Sequence, residues 1–206
     1  MPHNIASRIS VYPFGSTPPL VEQGWLALPQ LRHSGGSNVV FGDGSHQTTR
    51  LCAGAMDLLC RQRQPKTVLD VGTGTGILAR IARARGAHFV AGTDIDPAAL
   101  AVARAHCSLD AHAVEIYLGV EPPDYWGAHF DLVVANILEE PLRHLAPALA
   151  RALLPGGVLL LSGFTHLQTP AIRLLYENGE LKFMREAHLG EWALLMFERQ
   201  IRLANN

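Results

Sequence analysis

The chain has 206 residues, 48% hydrophobic and 17% charged, which is the composition of a globular protein with a full apolar core. Its 17 basic and 18 acidic side chains give a formal net charge of −1, so we expect no direct binding to nucleic acid or to membrane phosphates. Three widely spaced cysteines form neither a disulfide framework nor a zinc motif, which predicts a metal-free protein of the reducing cytoplasm. The sequence shows no signal-peptide pattern and no apolar run of transmembrane length, so we expect no membrane association.

The first 38 residues are rich in proline and glycine and have no sustained hydrophobic period. They predict an irregular N-terminal arm with short strands near 9–11 and 25–28. An arm of this length is too short for a core of its own, so we expect it to wrap the main domain, placed at 39–206, or to cover a ligand.

The first predicted helix follows a glycine-containing loop at 41–44. Apolar residues recur at the spacing of one helical face from Leu51 to Leu59, which predicts a helix over about 46–61. Ser45 is its expected N-cap. His46 has two interpretations. It is either a proton acceptor or substrate contact, or a loop histidine whose hydrogen bonds are satisfied within the loop.

The sequence TVLDVGTGTGIL at 67–78 predicts a buried parallel strand, a tight turn and a helix start. Glycines at alternate positions from Gly72 to Gly76 allow the backbone to turn sharply and a ligand to approach it closely. A dinucleotide fingerprint requires G-x-G-x-x-G, whereas Ile77 occupies the position of its third glycine. The pattern therefore indicates a nucleoside cofactor other than a dinucleotide, and a purely structural turn is the alternative.

A second predicted strand at 89–93 ends at Asp94, 22 positions after Gly72. In nucleotide-binding sheets an acidic residue at about this distance accepts hydrogen bonds from the ribose hydroxyls. Asp96 precedes Pro97, the order expected for an N-cap and a first helical residue, so we assign Asp96 a structural role.

Strands and helices alternate through the rest of the chain. Helices are predicted at 77–85, 97–105, 140–154 and 170–176, and strands at 114–118, 130–135 and 158–161, with Pro155-Gly156-Gly157 as a break. Two last strands, at 181–185 and 192–198, predict a hairpin. This order predicts an α/β fold with a doubly wound parallel sheet and a C-terminal antiparallel hairpin.

Asp70, Asp94 and Asn136 each stand at the carboxyl end of a predicted strand. Ligands of doubly wound sheets bind beyond the carboxyl ends of the strands, where the strand order reverses. We therefore expect the three side chains to converge on one crevice, which favours an enzyme. For Asn136 the alternative is a cap of the following helix.

With these residues placed, the chain resembles the class I S-adenosylmethionine-dependent methyltransferases and, among them, the ribosomal-protein methyltransferases of the PrmA family. The resemblance rests on FGDGSHQTT at 41–49, LDVGTGTGILA at 69–79, GTDIDP at 92–97, and DLVVANIL at 131–138 with LLPGG at 153–157. It implies a seven-stranded Rossmann-like sheet, S-adenosylmethionine as cofactor, and methyl transfer to amino nitrogens of a protein substrate such as a ribosomal protein.

The resemblance also implies a role for individual residues. Those that would border the methionine end of the cofactor are Phe41, Gly42, Gly44 and Thr48. Those that would hold its amino-acid part are Asp70, Gly72 and Gly74, and Asp94 would hold its ribose. Asn136 would lie beside the transferred methyl group, contact the cofactor, and orient the incoming nitrogen as the catalytic residue.

The chain departs from the family pattern in three ways. About 38 residues precede the shared core, where PrmA-like enzymes usually carry a separate recognition domain. Gln47 replaces the usual proline and Asp43 the usual threonine. The alternative function is therefore a small-molecule N- or O-methyltransferase whose amine-bearing acceptor is enclosed by the N-terminal arm. A nicotinamide-dependent oxidoreductase and a cofactor-binding subunit without activity are further alternatives, and the glycine spacing disfavours the first. The sequence predicts no oligomeric state.

Overall fold

The protein is described here by a computed structural model that covers residues 3–13, 15–16, 23–30, 42–109, 115–119 and 128–201. The strands are β1 (His3–Ala6), β2 (Ile9–Pro13), β3 (Leu26–Gln30), β4 (Thr67–Val71), β5 (Phe89–Asp94), β6 (Glu115–Leu118), β7 (Phe130–Asn136), β8 (Leu153–Thr165), β9 (Leu181–Leu189) and β10 (Trp192–Arg199). The helices are α1 (Gln47–Arg63), α2 (Ile77–Ala84), α3 (Pro97–Cys107), α4 (Glu139–Ala152) and α5 (Thr169–Tyr176), with a 3-10 turn at His166–Gln168.

The main sheet has seven strands in the order β6-β5-β4-β7-β8-β10-β9. The first five in this order pair in parallel, and β10 pairs antiparallel with both β8 and β9. The predicted seven-stranded, mostly parallel sheet with an antiparallel hairpin is confirmed. Along the chain the strand order reverses between β4 and β7, so a crevice is expected beyond the carboxyl ends of these two strands.

Helices cover both faces of the main sheet. Successive residues of a strand point to opposite faces, so each face presents its own apolar side chains to the helices that pack on it. Val68 and its neighbours on one face pack with α1 and α2 through residues such as Met56 and Ile81. Leu69 and its neighbours on the other face pack with α4 through residues such as Leu149. The buried sheet thus fixes the strand ends at which the candidate site lies.

The N-terminal segment differs from the irregular arm that its sequence predicted. Its described residues form a second sheet, β1-β2-β3, in which β1 and β2 are antiparallel and β2 and β3 are parallel. The predicted short strands correspond to β2 and β3, whereas β1 was missed because Ile5 is the only large apolar residue in its sequence HNIA. Buried Ile5, Ile9 and Val11 belong to the apolar cluster of α1 and α2, and Arg80 of α2 donates to the Pro29 carbonyl at 2.6 Å. The domain boundary at residue 38 stays a prediction.

Two predicted boundaries are corrected by local geometry. β8 begins at Leu153 and runs through Pro155-Gly156-Gly157, since a Cβ at Gly157 would lie 2.9 Å from the Phe130 carbonyl oxygen and only glycine lets the strands meet there. The N-cap of α1 is His46 and not Ser45. The Ser45 hydroxyl instead donates to Asp43 Oδ1 at 2.6 Å, within the preceding loop.

The expected N-cap of α3 is present. Asp96 accepts a hydrogen bond from Ala98 N at 2.8 Å, and Pro97 lies in the first turn, as predicted. Cys52, Cys60 and Cys107 are all buried and form no disulfide in the described part of the chain. Among the helices in the described part of the chain, none is long and apolar enough to cross a membrane.

Candidate active site

A cavity of about 540 Å³ lies at the carboxyl ends of β4, β5 and β7, where the strand order reverses. Its volume is within the range of small-molecule sites. The lining residues are His46, Thr48, Val71, Gly72, Gly74, Asp94, Ile95, Asp96, Ala99, Gly119, Asn136, Ile137, Leu138, Pro141, Leu145, Gly163 and Trp192. Of the three side chains expected to converge on this crevice, Asp94 and Asn136 line the cavity and Asp70 does not.

The glycine-rich loop after β4 forms one wall of the cavity. The amides of Gly72 and Thr73 both donate to the Thr93 carbonyl at 2.9 Å, which ties the loop to the end of β5. Gly72 has a φ of +70°, and a Cβ there would lie 2.2 Å from Ile137 Cγ2. Only glycine fits this position, so the backbone itself faces the cavity.

Asp70 supports the loop from behind and is not among the residues that line the cavity. Its Oδ2 accepts hydrogen bonds from the Thr73 hydroxyl at 2.7 Å and from Ala79 N at 3.2 Å. Its Oδ1 is buried and has no hydrogen-bond partner in the described part of the chain. The pKa of Asp70 is raised to about 7, first by burial and also by the charge of Asp94, against the lowering effect of these hydrogen bonds.

Asp94 lies at the end of β5 and lines the cavity. Its Oδ2 accepts a hydrogen bond from Gly74 N at 2.9 Å, and its Oδ1 accepts one from Asp96 N at 3.0 Å. The carboxylate thus connects the glycine-rich loop to the start of α3. This position is suited to accept hydrogen bonds from the hydroxyls of a ligand in the cavity.

Asn136 ends β7 on the opposite side of the glycine-rich loop and lines the same cavity. Its side-chain Oδ1 is buried and, within the described residues, has no hydrogen-bond partner. The next helix, α4, has Leu138 as its N-cap and no side-chain cap, so the capping alternative for Asn136 is wrong. A buried amide oxygen without a hydrogen-bond partner costs free energy, which indicates that a ligand supplies the missing donor.

His46 and Trp192 form a further wall. The His46 Nδ1 accepts a hydrogen bond from Thr48 N and lies 2.8 Å from the Thr48 hydroxyl, while its ring packs edge-on against Trp192 with centroids 4.8 Å apart. His46 is thus a hydrogen-bonded cap that also lines the cavity. Trp192 and Gly163 could not be predicted, because sheet pairing brings them to the site and they lie outside the quoted motifs. Ile137 lies in DLVVANIL, from which only Asn136 was predicted.

The family model of the ribosomal protein L11 methyltransferases (PrmA) matches residues 2–200. The chain belongs to this family. The family is named for methyltransferase activity, which agrees with the enzyme class and with the S-adenosylmethionine cofactor that the resemblance implied.

Curated PrmA relatives align with about four fifths of the chain. The ribosomal protein L11 methyltransferase of Bradyrhizobium diazoefficiens is 41% identical over 167 residues, which are 78% of this chain and 56% of that protein. The protein of the same name from Syntrophotalea carbinolica is 47% identical over 163 residues, 79% of this chain and 53% of that protein. The chain therefore spans about half the length of the curated relatives it matches.

A solved PrmA structure aligns over nearly the whole chain. The ribosomal protein L11 methylase of Lactobacillus delbrueckii subsp. bulgaricus superposes with a TM-score of 0.81 at 30% identity, covering 97% of this chain and 99% of that chain. A more distant structure, a TehB-like SAM-dependent methyltransferase of Corynebacterium glutamicum, has a TM-score of 0.54 at 18% identity and shares the fold alone.

Of the nine predicted cofactor-site residues of this PrmA chain, five line the cavity, three do not, and one lies outside the described residues. The residues that line the cavity are Thr48, Gly72, Gly74, Asp94 and Asn136. Gly42 and Gly44 lie outside the lining: the Gly42 carbonyl accepts a hydrogen bond from the Thr75 hydroxyl, and a Cβ at Gly44 would lie 2.5 Å from Ile5 Cγ2. Asp70 lies behind the loop, and Phe41 lies outside the described residues. The assignment of these residues to cofactor contacts stays a prediction.

The chemistry of the cavity fits S-adenosylmethionine. The carboxylate of Asp94 at the cavity provides an acceptor for ribose hydroxyls. Gly72 and Gly74 bring the backbone of the glycine-rich loop to the cavity wall, and the Asn136 Oδ1 is an acceptor without a partner in the described part of the chain. No cluster of candidate metal ligands occurs among the residues that the structure describes.

Proposed function

We propose that this chain is an N-methyltransferase that transfers a methyl group from S-adenosylmethionine to amino nitrogens of a protein, with a ribosomal protein as the first candidate acceptor. The buried, partnerless Oδ1 of Asn136 is the observation that carries the proposal. It lies at the cavity on β7, beside the glycine-rich loop of the adjacent strand β4. Support for the acceptor comes from the relatives, which are named ribosomal protein L11 methyltransferases.

The proposed chemistry requires little of the protein besides positioning. When bound, S-adenosylmethionine supplies an electrophilic methyl group on a sulfonium centre. Asn136 accepts a hydrogen bond from the acceptor amine through its Oδ1 and so directs the nitrogen lone pair away from the amide. A neutral amide suits this role because it remains an acceptor across the physiological pH range.

The acceptor amine must be uncharged when it reacts. For a lysine side chain with a pKa of about 10.4, deprotonation near pH 7.4 costs about 4 kcal/mol without assistance. Apolar side chains at the cavity, among them Ile137, Leu145 and Trp192, reduce this cost because they disfavour the ammonium form.

The outer lining of the cavity favours an acceptor that is presented from solvent. Ile95 and Leu138 line the cavity and are nevertheless 67% and 70% exposed. Such an open apolar edge accommodates a side chain carried by a protein, whereas a small amine has no need of it. We also propose that the protein acts in the cytoplasm, since Cys52, Cys60 and Cys107 are free thiols as expected in a reducing compartment.

Two measurements test the proposed function. Calorimetric titration with S-adenosylmethionine, S-adenosylhomocysteine and NAD should give micromolar binding of the two adenosyl ligands and none of NAD. Transfer of radiolabelled methyl from S-adenosylmethionine should then label ribosomal protein L11 in preference to free lysine and other small amines. Labelling of small amines alone would establish the alternative acceptor class, and binding of NAD alone would reject the methyltransferase assignment.

A further inference from the structure

Ile137, the residue after Asn136, lies between two glycines of neighbouring strands. Gly72 follows β4 with a φ of +70°, and Gly163 lies in β8 with a φ of +100°. A Cβ on Gly72 would lie 2.2 Å from Ile137 Cγ2, whereas a Cβ on Gly163 would lie 2.1 Å from the Ile137 carbonyl oxygen and 2.9 Å from its nitrogen. The first glycine thus contacts the side chain of Ile137 and the second contacts its backbone.

Gly163 is also the residue at which the pairing of β8 with β10 slips. Phe164 pairs with Ala193 and Ser162 pairs with Leu194, so Gly163 is the extra residue of a β-bulge. The Ser162 carbonyl accepts a hydrogen bond from Ile137 N at 3.1 Å. Bulges beside active sites commonly change the direction of a neighbouring group, and this one makes the space that the backbone of Ile137 occupies.

We propose that Gly163 is a positioning residue for methyl transfer, which acts through Ile137 to hold the Asn136 amide at the cavity. The nitrogen of Ile137 belongs to the peptide group that joins it to Asn136, so a displacement of Ile137 moves the end of β7. On its other side Ile137 covers Gly72, the predicted contact of the amino-acid part of the cofactor. Ile137 therefore sets the distance between the cofactor loop and the amide that receives the acceptor nitrogen.

The inference rests on the proposed function. Its first test separates methyl transfer, measured by kcat, from cofactor binding, measured by Kd. The variant Gly163→Ala should lower kcat by about a hundredfold, since a shift of about 1 Å in a reacting group has an effect of this size. Its Kd for S-adenosylmethionine should stay within about threefold, because Gly163 lies in β8, on the side of β7 opposite to β4 and its glycine-rich loop. The matched control is Gly179→Ala, which has a similar φ of +86° but open space around its Cβ and lies outside the cavity lining. It should lose stability and keep kcat.

A double-mutant comparison distinguishes the two contacts of Ile137. Replacing Ile137 with alanine removes Cγ2, so the part of the Gly72→Ala effect on kcat that comes from this clash should disappear in the Ile137→Ala background. Gly163→Ala should keep its full effect in that background, because its clash is with the backbone of Ile137. The proposal would be overturned if Gly72→Ala and Gly163→Ala changed kcat by the same factor in the Ile137→Ala background.

A spectroscopic measurement keeps the test independent of activity. The side-chain amide resonance of Asn136, identified by its loss in Asn136→Ala, should shift in Gly163→Ala and remain in place in Gly179→Ala. An unshifted resonance, or a wild-type kcat in Gly163→Ala, would overturn the positioning role while the proposed function stands. Wild-type protein that transfers no methyl group would instead overturn the proposed function and, with it, this role. If Gly163→Ala does not fold, Ile137→Ala is the second variant: a wild-type kcat together with an unshifted Asn136 resonance in Ile137→Ala would overturn the link through which Gly163 acts.

Discussion

Asn136 carries the proposed catalysis through one atom, its buried Oδ1. Replacing Asn136 with alanine should lower kcat by about a hundredfold or more, because the acceptor nitrogen loses the group that orients it. The Kd for S-adenosylmethionine should change only a few-fold. Methyl-transfer kinetics together with calorimetry measure the two effects, with Asn178→Ala, in an exposed turn, as the control. Unchanged turnover would remove Asn136 from the catalytic assignment.

Asp94 and Asp96 are close in sequence and should nevertheless respond differently to substitution. Alanine at Asp94 removes the acceptor of the Gly74 amide and of the predicted ribose contact, so cofactor binding should weaken by about 1 to 3 kcal/mol. Alanine at Asp96 removes the N-cap of α3 and should lower the free energy of unfolding by about 1 kcal/mol. Calorimetry and thermal unfolding of both variants test this division, which would be wrong if Asp96→Ala weakened cofactor binding as much as Asp94→Ala.

Asp70 should make the stability of the protein without cofactor depend on pH. Because burial raises the pKa of Asp70 from 3.8 to about 7, the folded state binds more protons than the unfolded chain between these two values. Stability from this group is therefore greatest at low pH and falls as the pH rises from about 4 to about 7. Thermal unfolding of wild-type protein and Asp70→Asn across pH 4 to pH 8 should show a steeper decline for the wild type, and parallel curves would contradict the assignment.

At the scale of elements, Ile5 is the fully buried side chain through which β1 packs on α1 and α2. Ile5 is fully buried, belongs to the apolar cluster of α1 and α2, and lies against Gly44 in the loop before α1. Its replacement by alanine should lower the free energy of unfolding by about 2 to 5 kcal/mol. Denaturant unfolding measures the loss, and Asn4→Ala, an exposed neighbour in the same strand, should stay within about 0.5 kcal/mol of wild type. A similar loss from both variants would show that the N-terminal sheet contributes no specific packing.

The elements that sequence could predict are those with strong local signals. The run before Asp70, the Asp96-Pro97 cap and the apolar face of α1 gave strands and helices close to their observed bounds. The start of β8 could not be predicted, because proline and glycine usually interrupt a strand. Here glycine is required at Gly157, since the backbone of β7 lies too close for a Cβ. The cap at His46 was missed for a related reason, since Ser45 is bonded within the loop and its side chain is not available.

For the whole molecule, the order of the strands explains which parts of the site could be predicted. Asp94 and Asn136 were found because parallel strands place their carboxyl ends at one edge of the sheet. Trp192 and Gly163 come from the antiparallel side, where β10 returns beside β8, and the pairing of these strands is not encoded in a local pattern. Gly44 illustrates the opposite case, a motif residue that packs against the N-terminal sheet and not at the cavity.

The labelling rates of the buried cysteines report local unfolding of the segments that carry them. Burial raises the pKa of Cys60 to about 11 and raises that of Cys52 further, so neither thiol should react with a maleimide unless α1 opens. Cys107 lies at the end of α3, and its Sγ would be 3.3 Å from a Cβ on Gly76, the last glycine of the cofactor loop. Its labelling, followed by mass spectrometry, should be slowed more by S-adenosylmethionine than that of Cys52 or Cys60. Equal slowing at all three would mean that this loop opens only when the entire fold does, so the ratio of the three rates measures how independently the cofactor loop moves.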